Sequence, residues 1–248
     1  MIDVETHGPV TLLRIRGGKA NSMSRALLDE LDRALVAAAD AAGLVITGDG
    51  GAFSAGLALP DLVDLDRPAM SAFIDRFGDV MLRVLTHPGA TVAAINGHAI
   101  AGGCVLALMC DQRVMTQASE AKIGLNEVQL DIGLPAIVIE PLRLRVPPTS
   151  LGPIALEGTL FGPHQAHERG LVDDVVPPEA VVSLAIRRAE PRAQHPVAHA
   201  QVKRALLAPV IDAIDRTRTQ HRESWLDSWF SPAAQTTLRT AVARITKR

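Results

Sequence analysis

Cysteine is scarce in this 248-residue chain, with only Cys104 and Cys110 present. Both lie in one apolar stretch, with no CxxC spacing and no histidine array, which argues against a disulfide framework or a zinc site and makes both reduced core residues. A surplus of either charge is also missing, since 25 Lys and Arg against 27 Asp and Glu leave a formal net charge of −2. There is no long-range basic field to draw the chain to nucleic acid or an anionic membrane, so a polyanionic partner has to be met locally.

The N-terminus shows no basic n-region, apolar h-region or arginine-rich transit helix, and a cytoplasmic location is expected. A membrane span is not expected either. The stretch from Pro88 to Cys110 has no acidic or basic residue apart from His98, but Asn96, Gly97, Gly102 and Gly103 interrupt it, and a strand, a glycine turn and a buried helix account for it better. No internal repeat or low-complexity tract is visible.

What the chain does have is core-forming material: 48% hydrophobic and 21% charged residues, the make-up of an ordinary globular protein. Val10 to Ile15 and Leu44 to Thr47 read as strands. Between them Leu27, Leu28, Leu31 and Leu35 recur at helical spacing behind the N-cap candidates Asn21, Ser22 and Ser24. A second unit follows, with a helix over Met70 to Leu85, a strand over Thr91 to Ile95 and a Gly102-Gly103 turn that opens a helix through Met109. The repeated pattern predicts an α/β fold with parallel pairing. Beyond Pro141 the sequence turns helical, with a break at Pro147-Pro148 and segments over Pro163 to Glu168, Pro178 to Ala189, Val197 to Ala208 and Ser231 to Lys247.

Three segments carry potential chemistry. Gly48 to Leu57 is a glycine-rich loop after an apolar strand, able to bring backbone N–H groups to a ligand, although such turns are usually only structural. In Asn96 to Cys104 a glycine pair opens a helix whose N-terminal N–H groups suit a developing oxyanion; the alternative is that Gly102 and Gly103 merely permit tight packing. In Ile123 to Val128 a lone carboxylate, Glu127, sits among apolar residues, and burial would raise its pKa toward the range useful for proton transfer. His98 could approach a pocket as an acid or base. Trp225 and Trp229, four residues apart, fit one packed helix face better than a ligand contact.

In this order and at these separations the segments resemble the crotonase superfamily, the enoyl-CoA hydratases and isomerases. The matching residues are Lys19-Ala20-Asn21, Phe53-Ser54-Ala55-Gly56-Leu57, Asn96-Gly97 with Gly102-Gly103, and Gly124-Leu125-Asn126-Glu127. The resemblance implies a crotonase-like core of ββα units wound in a spiral over residues 1–190 and a C-terminal helical trimerisation lobe over 191–248. It further implies an oxyanion hole from the N–H groups of Leu57 and Gly102, and Glu127 as the catalytic carboxylate. Coenzyme A would be met by Lys19, Ala20, Ser54, Ala55 and Lys247.

Hydratases of the superfamily carry two glutamates, and the position of the first is Val105 here. One carboxylate suffices to shift a double bond, so the resemblance is strongest to the mitochondrial-type Δ3-Δ2-enoyl-CoA isomerases. The expected partner is an acyl-CoA thioester, with no metal and no cofactor beyond the coenzyme A of the substrate, no nucleic acid and no membrane, in a homotrimer or a dimer of trimers. A hydratase or other acyl-CoA reaction, and a catalytically silent acyl-CoA binder, are the alternatives. Ala58 and Ala101 depart from the family pattern, standing where an aspartate and a glycine are usual.

Overall fold

The computed structural model describes residues 1–246, the side chains of Lys19 and Arg192 excepted. It opens with β1 (Ile2–His7) and β2 (Val10–Ile15), an antiparallel pair, followed by α1 (Arg25–Ala37) and β3 (Gly43–Gly48). Next come β4 (Ala52–Ser54), α2 (Leu59–Leu62), α3 (Arg67–Leu85), β5 (Ala90–Ile95), β6 (His98–Ile100), α4 (Gly102–Met109), β7 (Gln112–Thr116) and β8 (Ile123–Gly124). The chain continues through α5 (Ala136–Arg145), α6 (Pro163–Glu168), β9 (Asp174–Val176) and α7 (Val181–Ala193) to α8 (Pro196–Trp229) and α9 (Pro232–Thr246).

Two sheets result. The larger has the order β1-β2-β3-β5-β7-β9, parallel throughout except for its first pair, and the smaller is an all-parallel β4-β6-β8. β3 and β5 of the larger sheet each turn directly into a strand of the smaller one, and β7 leads into β8 through the longer connection 117–122. This is the expected α/β architecture with parallel pairing. Every residue of β3 and β5 is buried, because both faces of the larger sheet are covered. One face packs Val10, Leu12, Val45 and Val92 against Val181, Ala185 and Ala189 of α7. The other meets the main core, which extends into Leu207, Ile214, Trp225, Trp229 and Leu238 of α8 and α9. No described helix is long and apolar enough to cross a membrane.

Two of the three asparagines in the sequence motifs, Asn21 and Asn96, are structural pins. Asn21 Nδ2 donates to Asp49 O (3.0 Å) and Ala52 O (2.7 Å), while Asn96 Oδ1 accepts from Gly48 N–H (3.0 Å) and Asn96 Nδ2 donates to Gly50 O (2.9 Å). Together they fix the glycine loop between the two sheets. Gly103 has a similar purpose, since a β-carbon there would lie 2.1 Å from Ser54 O and push α4 off β4.

α8 runs unbroken through Pro209, where the sequence predicts a stop at Ala208. A proline inside a helix costs roughly 3 kcal/mol, but Lys203, Leu207 and Ile214 are buried on either side of it, and that packing outweighs the lost hydrogen bond. Lys203 anchors the first half of the helix, its Nζ donating to Asp111 Oδ2 (2.8 Å), Gly89 O (3.1 Å) and Thr91 Oγ1 (3.4 Å). Asp111 also accepts from Arg145 (3.2 Å) and from Thr91 N–H (3.0 Å). Burial favours protonating Asp111, but the charge and hydrogen bond of Lys203 outweigh it and hold the carboxyl below its ordinary range.

Candidate active site

The small sheet places the site. Leu57 lies three residues beyond the end of β4, Gly102 two beyond β6, and Glu127 three beyond β8, at the carboxyl ends of three neighbouring parallel strands. Ligands of α/β sheets gather at such strand ends. All three residues line one cavity of about 230 Å³, together with Ala55, Val105 and Asn126.

Leu57 forms a parallel bridge with Met23: Met23 N–H donates to Gly56 O (2.7 Å) and Ala58 N–H donates to Met23 O (3.1 Å). Both bonds bypass Leu57, so its own N–H points away from Met23. Gly102 lies close by, at the first position of α4, where a helix leaves its N–H groups without intrahelical acceptors. Gly56 keeps this approach open. Its φ is +86°, and a β-carbon on it would stand 2.9 Å from Gly102 N.

The turn into α4 is strained at Ala101, whose φ of 51° and ψ of −121° suit glycine rather than an L-residue. The strain is held by Ala101 N–H donating to Gly124 O (2.9 Å) and by Val105 N–H donating to Ala101 O (2.9 Å). Ala101→Gly is expected to raise unfolding stability by about 1 kcal/mol, strain relief exceeding the added entropy of the unfolded chain. A denaturant titration checks it; a loss of stability would show that the conformation is unstrained.

Glu127 opens a short 3-10 turn, Glu127–Leu130, and is the only titratable side chain among the described residues lining the cavity. Part of the side chain faces the cavity, whereas Oε2 is shut off from solvent without a hydrogen-bond partner among the described residues. Burial therefore raises the carboxyl from an ordinary 4.5 to about 7, against a smaller opposing pull from its own backbone N–H. Such a group can take up and return a proton near neutral pH. Val105 is apolar and 1% exposed, and brings no second carboxylate.

The remaining predicted residues are placed around this cavity. Ala20 O accepts from Ala55 N–H (2.9 Å), and Ala20 borders a neighbouring surface recess rather than the cavity. Ser54 is fully buried, its hydroxyl donating to Asn21 O (2.8 Å) and accepting from Gly56 N–H (3.2 Å). His98 faces the same recess as Ala20. Ala58 is the N-cap of α2 and gives it no side-chain hydrogen bond. Lys247 and the Lys19 side chain lie outside the described residues. No group of three metal-ligating side chains occurs among the described residues.

Two contributions escaped the sequence reading. Asn126 borders the cavity with its Oδ1 buried and unpartnered. Trp225 and Trp229 pack as one helix face, as their spacing predicts, but that face also walls the cavity, alongside Ala241 and Ile245 of α9. Proximity to an empty space leaves no mark in spacing.

Comparison with known proteins gives a consistent set of matches. A family model described as enoyl-CoA hydratase/isomerase matches residues 5–236. The mitochondrial enoyl-CoA delta isomerase 1 of Mus musculus is 35% identical over 189 residues, covering 73% of this chain and 65% of the mouse protein's length, just under two thirds. The 2,3-dehydroadipyl-CoA hydratase of Escherichia coli strain K12 is 31% identical over 212 residues, covering 84% of this chain and 82% of that protein. The crystal structure of human mitochondrial delta3-delta2-enoyl-CoA isomerase superposes with a TM-score of 0.93 at 28% identity, over 99% of this chain and 98% of that one.

Proposed function

This chain belongs to the enoyl-CoA hydratase/isomerase family, and we propose that it performs the isomerase side of that chemistry, moving the double bond of a 3-enoyl-CoA into conjugation with its thioester. The observation that carries this reading is the single carboxylate: Glu127 is the one ionisable side chain among the described residues lining the cavity, and Val105 stands at the position that the family resemblance gives to the first of the hydratases' two glutamates. Glu127 removes the proton at C2, and the electron pair spreads over a dienolate whose negative oxygen accepts hydrogen bonds from Leu57 N–H and Gly102 N–H. The same carboxyl then delivers its proton to C4, leaving the double bond between C2 and C3. Each such donor is worth about 3 kcal/mol of barrier, and α4 directs its positive end at the same oxygen.

Coenzyme A enters as part of the substrate, with Ala20, Ala55, Lys19 and Lys247 as the residues proposed to meet it; Ser54, expected among them, is fully buried and holds the loop instead. The proposed reaction needs no metal and no other cofactor. The C-terminal helices would carry a trimer or a dimer of trimers.

Product identification decides among the readings. Incubated with 3-enoyl, 2-enoyl and saturated acyl-CoA esters, the protein is expected to convert the first into the conjugated 2-enoyl ester and to leave the other two largely unchanged. Accumulation of a 3-hydroxyacyl ester as the main product would assign it to the hydratases, and binding without turnover to a silent binder. Val105→Glu is expected to add measurable hydration of 2-enoyl-CoA, because the new carboxylate would face Glu127 across the cavity and orient a water. A folded variant without such a gain would show that water placement needs more than this position.

A further inference from the structure

The stacked indoles of Trp225 and Trp229 line the same cavity as Leu57, Gly102 and Glu127, and we infer that this pair is the wall that sets acyl-chain length. The inference rests on the isomerase reading only for the direction in which the thioester lies. The two rings stack with centroids 5.1 Å apart and an interplanar angle of 27°. They are 4% and 0% exposed, and both border the cavity that Glu127 faces.

The occupant beside the indoles has to be apolar. Apart from Asn126, Glu127 and the indole N–H groups, the described residues lining the cavity offer no polar side chain to a nucleotide or a phosphate. With the thioester held at Leu57 and Gly102, the acyl tail runs toward α3 and α8, where it meets Ile74, Phe77 and the indoles. The wall is also stiff. Gly133 N–H donates to Ser228 Oγ (3.0 Å), Ser228 Oγ donates to Trp225 O (2.7 Å), and Gln235 Nε2 donates to Trp229 O (2.9 Å), so the last turn of α8 is tied on both sides. A wall that cannot retreat rejects additional methylenes, each worth about tenfold or more in a shaped apolar pocket. The protein is thereby assigned to short acyl chains.

The composition supplies a direct probe. The chain has two tryptophans and no tyrosine, so its indole emission reports this wall alone. Saturated acyl-CoA esters of four, eight and twelve carbons are titrated into the purified protein while that emission is followed. The expected result is a saturable change with the four-carbon ester and binding weakened at least about tenfold for the twelve-carbon one.

Trp225→Leu, which still carries Trp229, is expected to shift the affinity ratio toward the twelve-carbon ester by about tenfold, whereas Trp225→Phe keeps the ratio near its starting value. Trp225→Met, whose unbranched and flexible side chain fills an irregular gap more readily, carries the test with a shift in the same direction should Trp225→Leu fail to fold. Emission indifferent to every ester, or a chain-length ratio unmoved in folded Trp225→Leu and Trp225→Met, overturns the inference. Saturated esters cannot isomerise, so a protein that binds them with this selectivity but leaves 3-enoyl-CoA unchanged would sink the isomerase reading and keep the wall.

Discussion

Glu127→Gln is expected to reduce isomerisation of a 3-enoyl-CoA by about 10²- to 10⁴-fold, the usual contribution of a placed general acid–base group, while making the folded protein more stable. The two effects share one cause. Glu127 has its pKa raised from 4.5 to about 7 because ionising it in the cavity wall is unfavourable. A group whose folded pKa is raised binds more protons in the folded state, so stability is greatest below pH 4.5, falls as the pH climbs to about 7 and is level above that. The full penalty is roughly 3 kcal/mol.

Glutamine carries no charge at any pH and escapes this penalty, so the variant should melt several degrees higher at pH 8 and no differently at pH 4. Activity of the native protein should follow the opposite course, rising through about pH 7 as the base ionises and then levelling. Melting curves at both pH values and initial rates across the range check all of this. Unchanged turnover in Glu127→Gln would remove the carboxylate from the reaction. Unchanged stability would mean that the carboxyl is better solvated than its surroundings indicate.

The second large effect concerns Asp111. Asp111→Leu leaves the Lys203 ammonium, 7% exposed, without its carboxylate and strips acceptors from Arg145 and Thr91. Removing one member of a buried pair typically costs about 3–5 kcal/mol, because the stranded charge stays desolvated. Unfolding midpoints in denaturant should show a loss of that order. The double variant Asp111→Leu with Lys203→Met is expected to recover at least half of it, since no lone charge remains. Losses that simply added would mean that the two groups stabilise the fold independently. The native pair also has a pH signature: because the Asp111 carboxyl is held below its ordinary 3.8, its contribution is complete above that pH and is lost as the pH falls further.

The parts of this fold legible in the sequence are those with periodicity or punctuation. β2, β3, β5, α1 and α3 follow from apolar runs and helical spacing, and α6 falls on Pro163 to Glu168 as read. The smaller sheet was invisible, because β4, β6 and β8 are two or three residues long and a period cannot be seen in so short a run. β1 alternates as Ile2-Asp3-Val4-Glu5-Thr6-His7 but has too few large apolar residues to stand out, and none of its residues is fully buried; β9 was missed because its three residues are only half-buried at the sheet edge. The repeated strand, short strand, helix unit left no sequence repeat either, since each copy keeps its geometry with different residues.

At the candidate site, the family resemblance is what puts Leu57 and Gly102 forward as donors, whereas Glu127 also stands out as an isolated carboxylate among apolar neighbours; the structure brings all three to one cavity. The four-residue spacing of Trp225 and Trp229 favours simple packing over a ligand contact, and nothing in the sequence marks the burial of Asn126 Oδ1, because both depend on how segments far apart in the chain meet.

The smaller sheet has one more consequence, which is metrical. Neighbouring strands of a sheet lie about 4.7–4.9 Å apart. An oxygen that accepts from two N–H groups at about 2.9 Å each requires donors no more than about 5.8 Å apart. Leu57 and Gly102 follow adjacent strands, and Glu127 follows the next one over. The sheet thus acts as a ruler: one interval spaces the two proposed donors for a single carbonyl oxygen, and a second sets the proposed proton carrier beside them. The loops beyond these strands can vary where no close approach demands glycine, as it does at Gly56, as long as that ruler keeps its order and pitch.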